Sequence, residues 1–288
     1  MNPEILAAKA EFYLTLSRAF LPPTNPDSHD AFVRILPVEL REIAGEAGYS
    51  VEPGIADYTA AAAMIPDRLH LLQTYSGLFL MPPREVQLYA SVYLDGAILG
   101  GSADGIMKSY ATQGLGRSDN FHDLPDHISA VLEFLALLYA RAAETDGYPQ
   151  ADLLNDAAEF NRNYLLSWVP MMRRQLAKTL EECADRGHSP IYLHLATILQ
   201  DALIADAGEL TPLLKKALNP ETVSETNKAD AKEMAKCREC GADIAPAARV
   251  RRVKKVLEKE GIDTSHLDLC PKCRGVDMYP LGGRPGLP

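Results

Sequence analysis

Four cysteines in two CxxC pairs are the residues whose type and spacing most clearly specify chemistry: Cys237-Arg238-Glu239-Cys240 and Cys270-Pro271-Lys272-Cys273. Two such knuckles in one segment can place four thiolates tetrahedrally around one Zn²⁺, with Zn–S bonds of about 2.3 Å. Gly241 and Gly275 follow the knuckles, where the backbone must turn tightly. Four thiolates also hold iron and iron–sulfur centres, so iron is the rival metal. A thiol-redox role suits the pattern less, because redox CxxC pairs usually come singly and open a helix. A catalytic zinc needs an open coordination position, which four thiolates do not leave. The spacing therefore predicts a structural zinc on Cys237, Cys240, Cys270 and Cys273. Cys183 is left over, and the pattern as a whole suits a reducing compartment better than a disulfide framework.

A second candidate is Asp126-His127, which follows a glycine-containing stretch and opens a helical pattern. A histidine there can titrate near neutral pH or bind a polar ligand. The plainer reading is a helix cap with a neighbouring imidazole. No His or Cys stands at i+4 from His127, and His122 is separated from it by Pro125, which disfavours a joint metal site. No GxSxG, HExxH or Walker A motif is present. Between the knuckles, Arg249, Arg251, Arg252, Lys254 and Lys255 form a basic cluster. It reads as a solvated helix face balanced by Glu258 and Glu260, or alternatively as a docking patch for an acidic surface or nucleic acid.

The elements that must position these residues read as helices. Ile5, Ala8, Phe12, Leu16 and Phe20 recur at helical spacing, and Leu21-Pro22-Pro23 stops that helix. Shorter helices are expected around 28–47 and 55–80. Leu88–Leu94 permits a strand, but no hairpin partner follows, so a loop or short helix is favoured. A strong helix is expected from near Pro125, with Asp123 as a cap and Asp126 favouring its positive end. Its core stripe is Ile128, Val131, Leu132, Leu135, Leu138 and Tyr139. Two long helices, 150–183 and 189–207, should follow. The sequence from 217 to 235 is polar and reads as a linker. A helix is expected from Ala247 to Glu260 between the knuckles. The expected organisation is thus an all-α body (1–216), a linker (217–235), a four-cysteine zinc module (236–280) and a disordered tail (281–288).

Composition bounds the function. A net charge of −10 argues against general nucleic-acid binding and favours a cationic partner. No apolar run approaches the roughly 20 residues that span a bilayer, and the N-terminus lacks the basic and apolar regions of a signal peptide. The expected location is the cytoplasm, without membrane insertion.

Three stretches of the body resemble the TorD/DmsD/NarJ family of chaperones for molybdenum enzymes. The first is Phe12–Phe20 followed by Pro22-Pro23. The second is Tyr75–Leu80, Pro82-Pro83 and Tyr89–Asp95. The third is Leu124-Pro125-Asp126-His127-Ile128 leading to Leu132-Glu133-Phe134-Leu135, which looks like the family's PDH and LEF pattern. Trp168-Val169-Pro170 falls where the family places a W-x-P element. The family often has a histidine four residues before that tryptophan, where this chain has Tyr164, so any role of that histidine does not carry over. The cysteine tail lies outside the common family body.

The resemblance implies an all-α multi-helix bundle that binds rather than catalyses. Its client would be the catalytic subunit of a molybdopterin (Mo/W) oxidoreductase of the DMSO-reductase type, held before cofactor insertion, with its twin-arginine leader as one possible contact. The implied contact region is Asp126, His127, Tyr93, Asp95 and Glu133, with Asp126 pairing a leader arginine. Both a monomer and a helix-swapped homodimer are compatible with the family. The rival readings are a helical regulator whose zinc tail binds nucleic acid, and an enzyme using His127 as general base.

Overall fold

The computed structural model describes residues 1–82, 86–115, 124–218, 234–246, 268–269 and 273. By its contacts the chain divides into two compact units, Met1–Ala217 and Leu218–Pro288. The regular elements described in the first are all helices. α1 (Pro3–Ala19) leads through α2 (Ser28–Asp30) and a π turn (Ala31–Ile35) into α3 (Leu36–Ala47). The widened turn precedes Pro37, which has no N–H for the ordinary i−4 bond and would press its ring on that carbonyl. Gly48, at φ 77°, closes α3 in the left-handed conformation that glycine tolerates. α4 (Glu52–Ala63) and α5 (Arg68–Phe79) follow. The expected 55–80 region is thus split: Pro66 disfavours helix at the residue before it, and Asp67 restarts the helix by accepting from His70 N–H at 2.8 Å.

Next come α6 (Ala90–Asp95), α7 (Gly101–Thr112), α8 (Ile128–Ala143), α9 (Gly147–Tyr164), α10 (Val169–Glu182), a 3₁₀ turn (Ala184–Arg186) and α11 (Ile191–Leu218). The single helix expected over 150–183 is broken at Leu165–Trp168. Pro170 can occupy the first turn of a helix but not its interior. Trp168 Nε1–H donates to the Tyr164 carbonyl at 2.7 Å, satisfying an end of α9.

The core lies along α1, α8 and α11. Leu6, Phe12, Tyr13, Leu16 and Phe20 of α1 and its end are fully buried, as are Leu132, Leu135 and Leu138 of α8 and Leu195, Leu199 and Leu203 of α11. Inside it sits a charged group. Asp206 accepts from Lys9 Nζ at 2.6 Å and from the hydroxyls of Tyr13 (2.6 Å), Tyr139 (2.7 Å) and Tyr49 (3.0 Å). Burial first, then the Asp206 charge, holds the hydroxyls of these three tyrosines well above the usual phenol range.

In the second unit, β1 (Met234–Lys236) pairs antiparallel with β2 (Asp243–Pro246). Of the expected 217–235 linker, the first residues belong to α11, which runs to Leu218, and the last to β1, which starts at Met234; 219–233 lie outside the described residues. The expected 247–260 helix, the basic cluster and the 281–288 tail also lie outside them.

Candidate functional site

The stretch expected to open one helix at Pro125 does something else. Tyr89 and His127 form an isolated antiparallel bridge. Ala90 N–H donates to the Asp126 carbonyl at 3.0 Å, and Ile128 N–H to the Leu88 carbonyl at 2.8 Å. That pairing requires extended backbone, so α8 begins only at Ile128. His127 is its N-cap, with Nδ1 accepting from Ser129 N–H at 3.2 Å. The sequence placed this start about three residues too early, because the strand-like partner comes from nearly forty residues upstream.

Asp126 is fully buried and lies outside the helix it was expected to begin. Its Oδ2 accepts from Ser91 N–H at 2.9 Å, in the first turn of α6. Its Oδ1 is buried with no hydrogen-bond partner among the described residues. Ser91 Oγ in turn accepts from Leu99 N–H at 3.1 Å. Leu99 holds φ at 60°, in the left-handed region that is costly for a leucine, and persists there because its neighbours hold it. Asp126 is therefore the pin of a knuckle joining the start of α6, the α6–α7 loop and the start of α8. Pro125 joins too, its carbonyl accepting from Tyr110 OH at 2.8 Å. In this conformation the Asp126 carboxylate does not reach a second chain directly.

The other expected contact residues surround this knuckle in different roles. His127 is buried, its ring edge-on to Tyr89 at 5.3 Å between centroids. Tyr93 stacks on Trp168 at 5.5 Å and donates its hydroxyl to the Gln87 carbonyl at 3.0 Å; burial pushes that hydroxyl up to about 12. Asp95 is exposed and caps α7, accepting from Ser102 N–H at 3.0 Å. A side chain at Gly100 would collide with it, the Cβ meeting Asp95 Cβ at 2.4 Å, so the cap needs glycine there. Glu133 is exposed on α8, and its Oε1 accepts from Ser17 Oγ of α1 at 3.2 Å. The structure thus brings Asp126, His127 and α6 together, while Glu133 sits further along the α1–α8 seam. Ile98 and Leu99 stand out on the α6–α7 loop, 48% and 58% exposed, an apolar pair beside the acidic Asp95.

The metal candidate is partly described. The Sγ atoms of Cys237, Cys240 and Cys273 lie within 4.8 Å of one another. Tetrahedral thiolates on zinc would stand about 3.8 Å apart, so a small inward adjustment suffices. Cys270 lies outside the described residues. The hairpin delivers the first knuckle: Cys237 N–H donates to the Ala242 carbonyl at 2.8 Å, and Gly241, at φ 72°, donates its N–H to the Cys237 carbonyl at 2.9 Å. Arg238 N–H donates to the Asp268 carbonyl at 2.9 Å, tying the second knuckle's approach to the first. Three soft thiol donors in one cluster fit zinc or iron and fit magnesium or calcium poorly.

Several features were not visible in sequence. Gly105 of α7 has room only for hydrogen, because a Cβ there would meet Tyr164 OH at 2.2 Å. The hydroxyl of Tyr164, which stands where the family often has a histidine, is thus packed against α7. Ser91, the partner of Asp126, carries no signal in a one-chain reading.

The first unit is thus a bundle of helices with Asp126 and His127 buried at the head of α8. The nitrate reductase delta subunit family matches residues 41–174. The chaperone protein TorD of Vibrio cholerae serotype O1, classical Ogawa, is 30% identical over 173 residues, spanning 56% of this chain and 76% of that protein. TorD from an El Tor Inaba strain is 31% identical over 106 residues, 36% of this chain and 48% of that protein. The chain belongs to the TorD family of chaperones.

Proposed function

We propose that this protein binds the immature catalytic subunit of a molybdopterin oxidoreductase of the DMSO-reductase type in the cytoplasm and holds it until its cofactor is inserted. Membership of the TorD family carries this reading, since those chaperones act in molybdoenzyme maturation and bind the catalytic subunit. The work is stoichiometric binding and release. His127 suits a structural role better than that of a general base, because its Nδ1 is used as a helix cap. The twin-arginine leader of the client is a suitable contact: it is basic and then apolar, whereas this chain is acidic with exposed apolar residues at the knuckle. We assign the client-facing region to the surface around Tyr93, Asp95 and Glu133, with Asp126 and His127 holding its backbone. In the second unit, Cys237, Cys240, Cys270 and Cys273 would hold a structural zinc.

Tagged protein drawn from its native host should recover a molybdopterin oxidoreductase subunit lacking its cofactor, identified by mass spectrometry. Recovery of nucleic acid or transcription machinery with no such subunit would instead favour the zinc-tail regulator.

A further inference from the structure

A pocket of about 710 Å³ opens where α5 meets the turn that leads into α11. Small-molecule sites have this size. Two contacts fasten its walls together. Ser189 N–H donates to Thr74 Oγ1 of α5 at 3.3 Å, and the His188 imidazole lies over Gly77 of α5, where only a hydrogen fits. At the end of α5 the chain turns back, Met81 N–H donating to the Ser76 carbonyl at 2.9 Å, which holds Met81 against the pocket. The chain carries a net charge of −10, yet among the described residues no carboxylate lines this pocket. Arg186, His70 and His188 line it instead, with Gln73, Thr74 and Ser76 as neutral polar groups. Leu69, Leu72, Met81 and Pro82 supply an apolar wall. Two buried polar atoms at the same joint, His188 Nε2 and Ser189 Oγ, have no hydrogen-bond partner among the described residues. Buried polar groups are ordinarily paired, so such a couple marks a place for a ligand or an ordered water.

Charge and polarity choose the ligand class. Burial first, then Arg186 of the 3₁₀ turn and His70 of α5, keeps the His188 pKa below the usual range, so its imidazole is neutral at pH 7. Arg186 stays cationic at every ordinary pH. One guanidinium matches one carboxylate, through two parallel N–H···O bonds, better than it matches a multiply charged polyphosphate. The apolar wall favours a ligand with a hydrocarbon body over a bare inorganic ion. We infer that this pocket binds a small organic carboxylate, its head on Arg186 beside the His188–Ser189 joint and its apolar body on Leu69, Leu72 and Met81. A carboxylate there offsets the like charges that face His188, so ligand binding and protonation of the imidazole assist each other. The site is independent of the chaperone reading.

The probe is hexanoate, titrated into the full chain while the imidazole resonances of His70 and His188 are followed by NMR, with His188→Gln assigning the second. Hexanoate should shift both resonances saturably, raise the His188 pKa, and bind more tightly as the pH falls from about 8 to about 6. Acetate, which lacks the apolar body, and hexylammonium, which reverses the charge, should each bind far more weakly. Arg186→Gln should weaken hexanoate binding about tenfold, as loss of a charge-assisted pair does. Leu69→Gln should weaken it several-fold and leave acetate unaffected. Both positions are exposed, so neither variant should disturb the fold, and circular dichroism melts check this. Absence of a saturable shift at either histidine overturns the site. Hexanoate binding by Arg186→Gln as tight as by wild type overturns it too. Inorganic phosphate binding as tightly as hexanoate would show an unselective cationic surface and equally defeat the assignment.

Discussion

At the scale of single residues, a buried carboxylate works through what it holds. Asp126 satisfies Ser91 N–H, and no other described group accepts that proton in its place. Asp126→Ala leaves a buried N–H unmet and should cost about 1–3 kcal/mol in urea unfolding, with faster amide exchange at Ser91. Asp126→Asn, which keeps an acceptor oxygen, should lose less. If both variants, and His127→Ala, hold client as tightly as wild type, the knuckle does not shape the client surface. A second residue-scale case is His188. Gly77 leaves room for its imidazole, since a Cβ there would stand 2.3 Å from His188 Cε1. Burial, then Arg186 and His70, lowers the His188 pKa below the usual range. The unfolded chain therefore takes up this proton first. Stability from the neutral imidazole is in place above about pH 6.5 and is lost as pH falls below that toward the folded-state value. His188→Gln should flatten the fall of the urea midpoint between about pH 7 and pH 5 and leave the value at pH 8 little changed. An unchanged slope would show that His194, also lowered by burial, carries the effect.

At the scale of elements, the helices are held in register by a charge that the sequence does not advertise. Lys9 of α1 and Asp206 of α11 are 197 residues apart and both essentially inaccessible to water. Removing one partner of such a pair strands the other. Lys9→Met should therefore destabilise the body by about 3–5 kcal/mol, read as a lower urea midpoint. A loss under 1 kcal/mol would mean that the three tyrosine hydroxyls alone satisfy Asp206. This network also shows what a linear reading can and cannot reach. The apolar stripes of α1, α8 and α11 were legible because helical periodicity is a local property. Lys9 lay within the α1 pattern with no sign of its distant partner. The break at Leu165–Trp168 had its cause in plain view, Pro170, but the apolar residues on both sides continued one helical rhythm across it. The late start of α8 was hidden for another reason: it depends on the pairing of Leu88–Ala90 with Asp126–Ile128. Of the site, the residue types Asp126, His127 and Glu133 were legible through resemblance, but not that the first is buried and the last exposed. Burial is set by what packs above a residue, and that comes from elsewhere in the chain.

At the scale of the molecule, the proposed metal would stabilise the second unit by different physics from the apolar packing of the first. Met1–Ala217 has an extended apolar core. In the second unit the described strands have three and four residues, and a two-stranded ribbon is by itself marginally stable in water. Cross-linking by metal is the usual remedy for so small a fold, and there the metal's binding energy becomes folding energy. A chelator should then unfold the cysteine unit while the far-ultraviolet helical signal of the body persists. Cys240→Ser should reproduce this without a chelator. The fourth ligand can be tested in the same experiment. With Cys270 engaged, cobalt substitution should give the strong visible absorption of a tetrahedral four-thiolate site, and Cys270→Ser should weaken and shift it. Metal analysis of protein purified from its native host separates zinc from iron. Spectra indifferent to Cys270 would leave Cys237, Cys240 and Cys273 as a three-thiolate site with an open position, and the structural reading of the metal would fail. Loss of the whole helical signal on chelation would show that the body also depends on the metal, against the division of the chain at Ala217–Leu218.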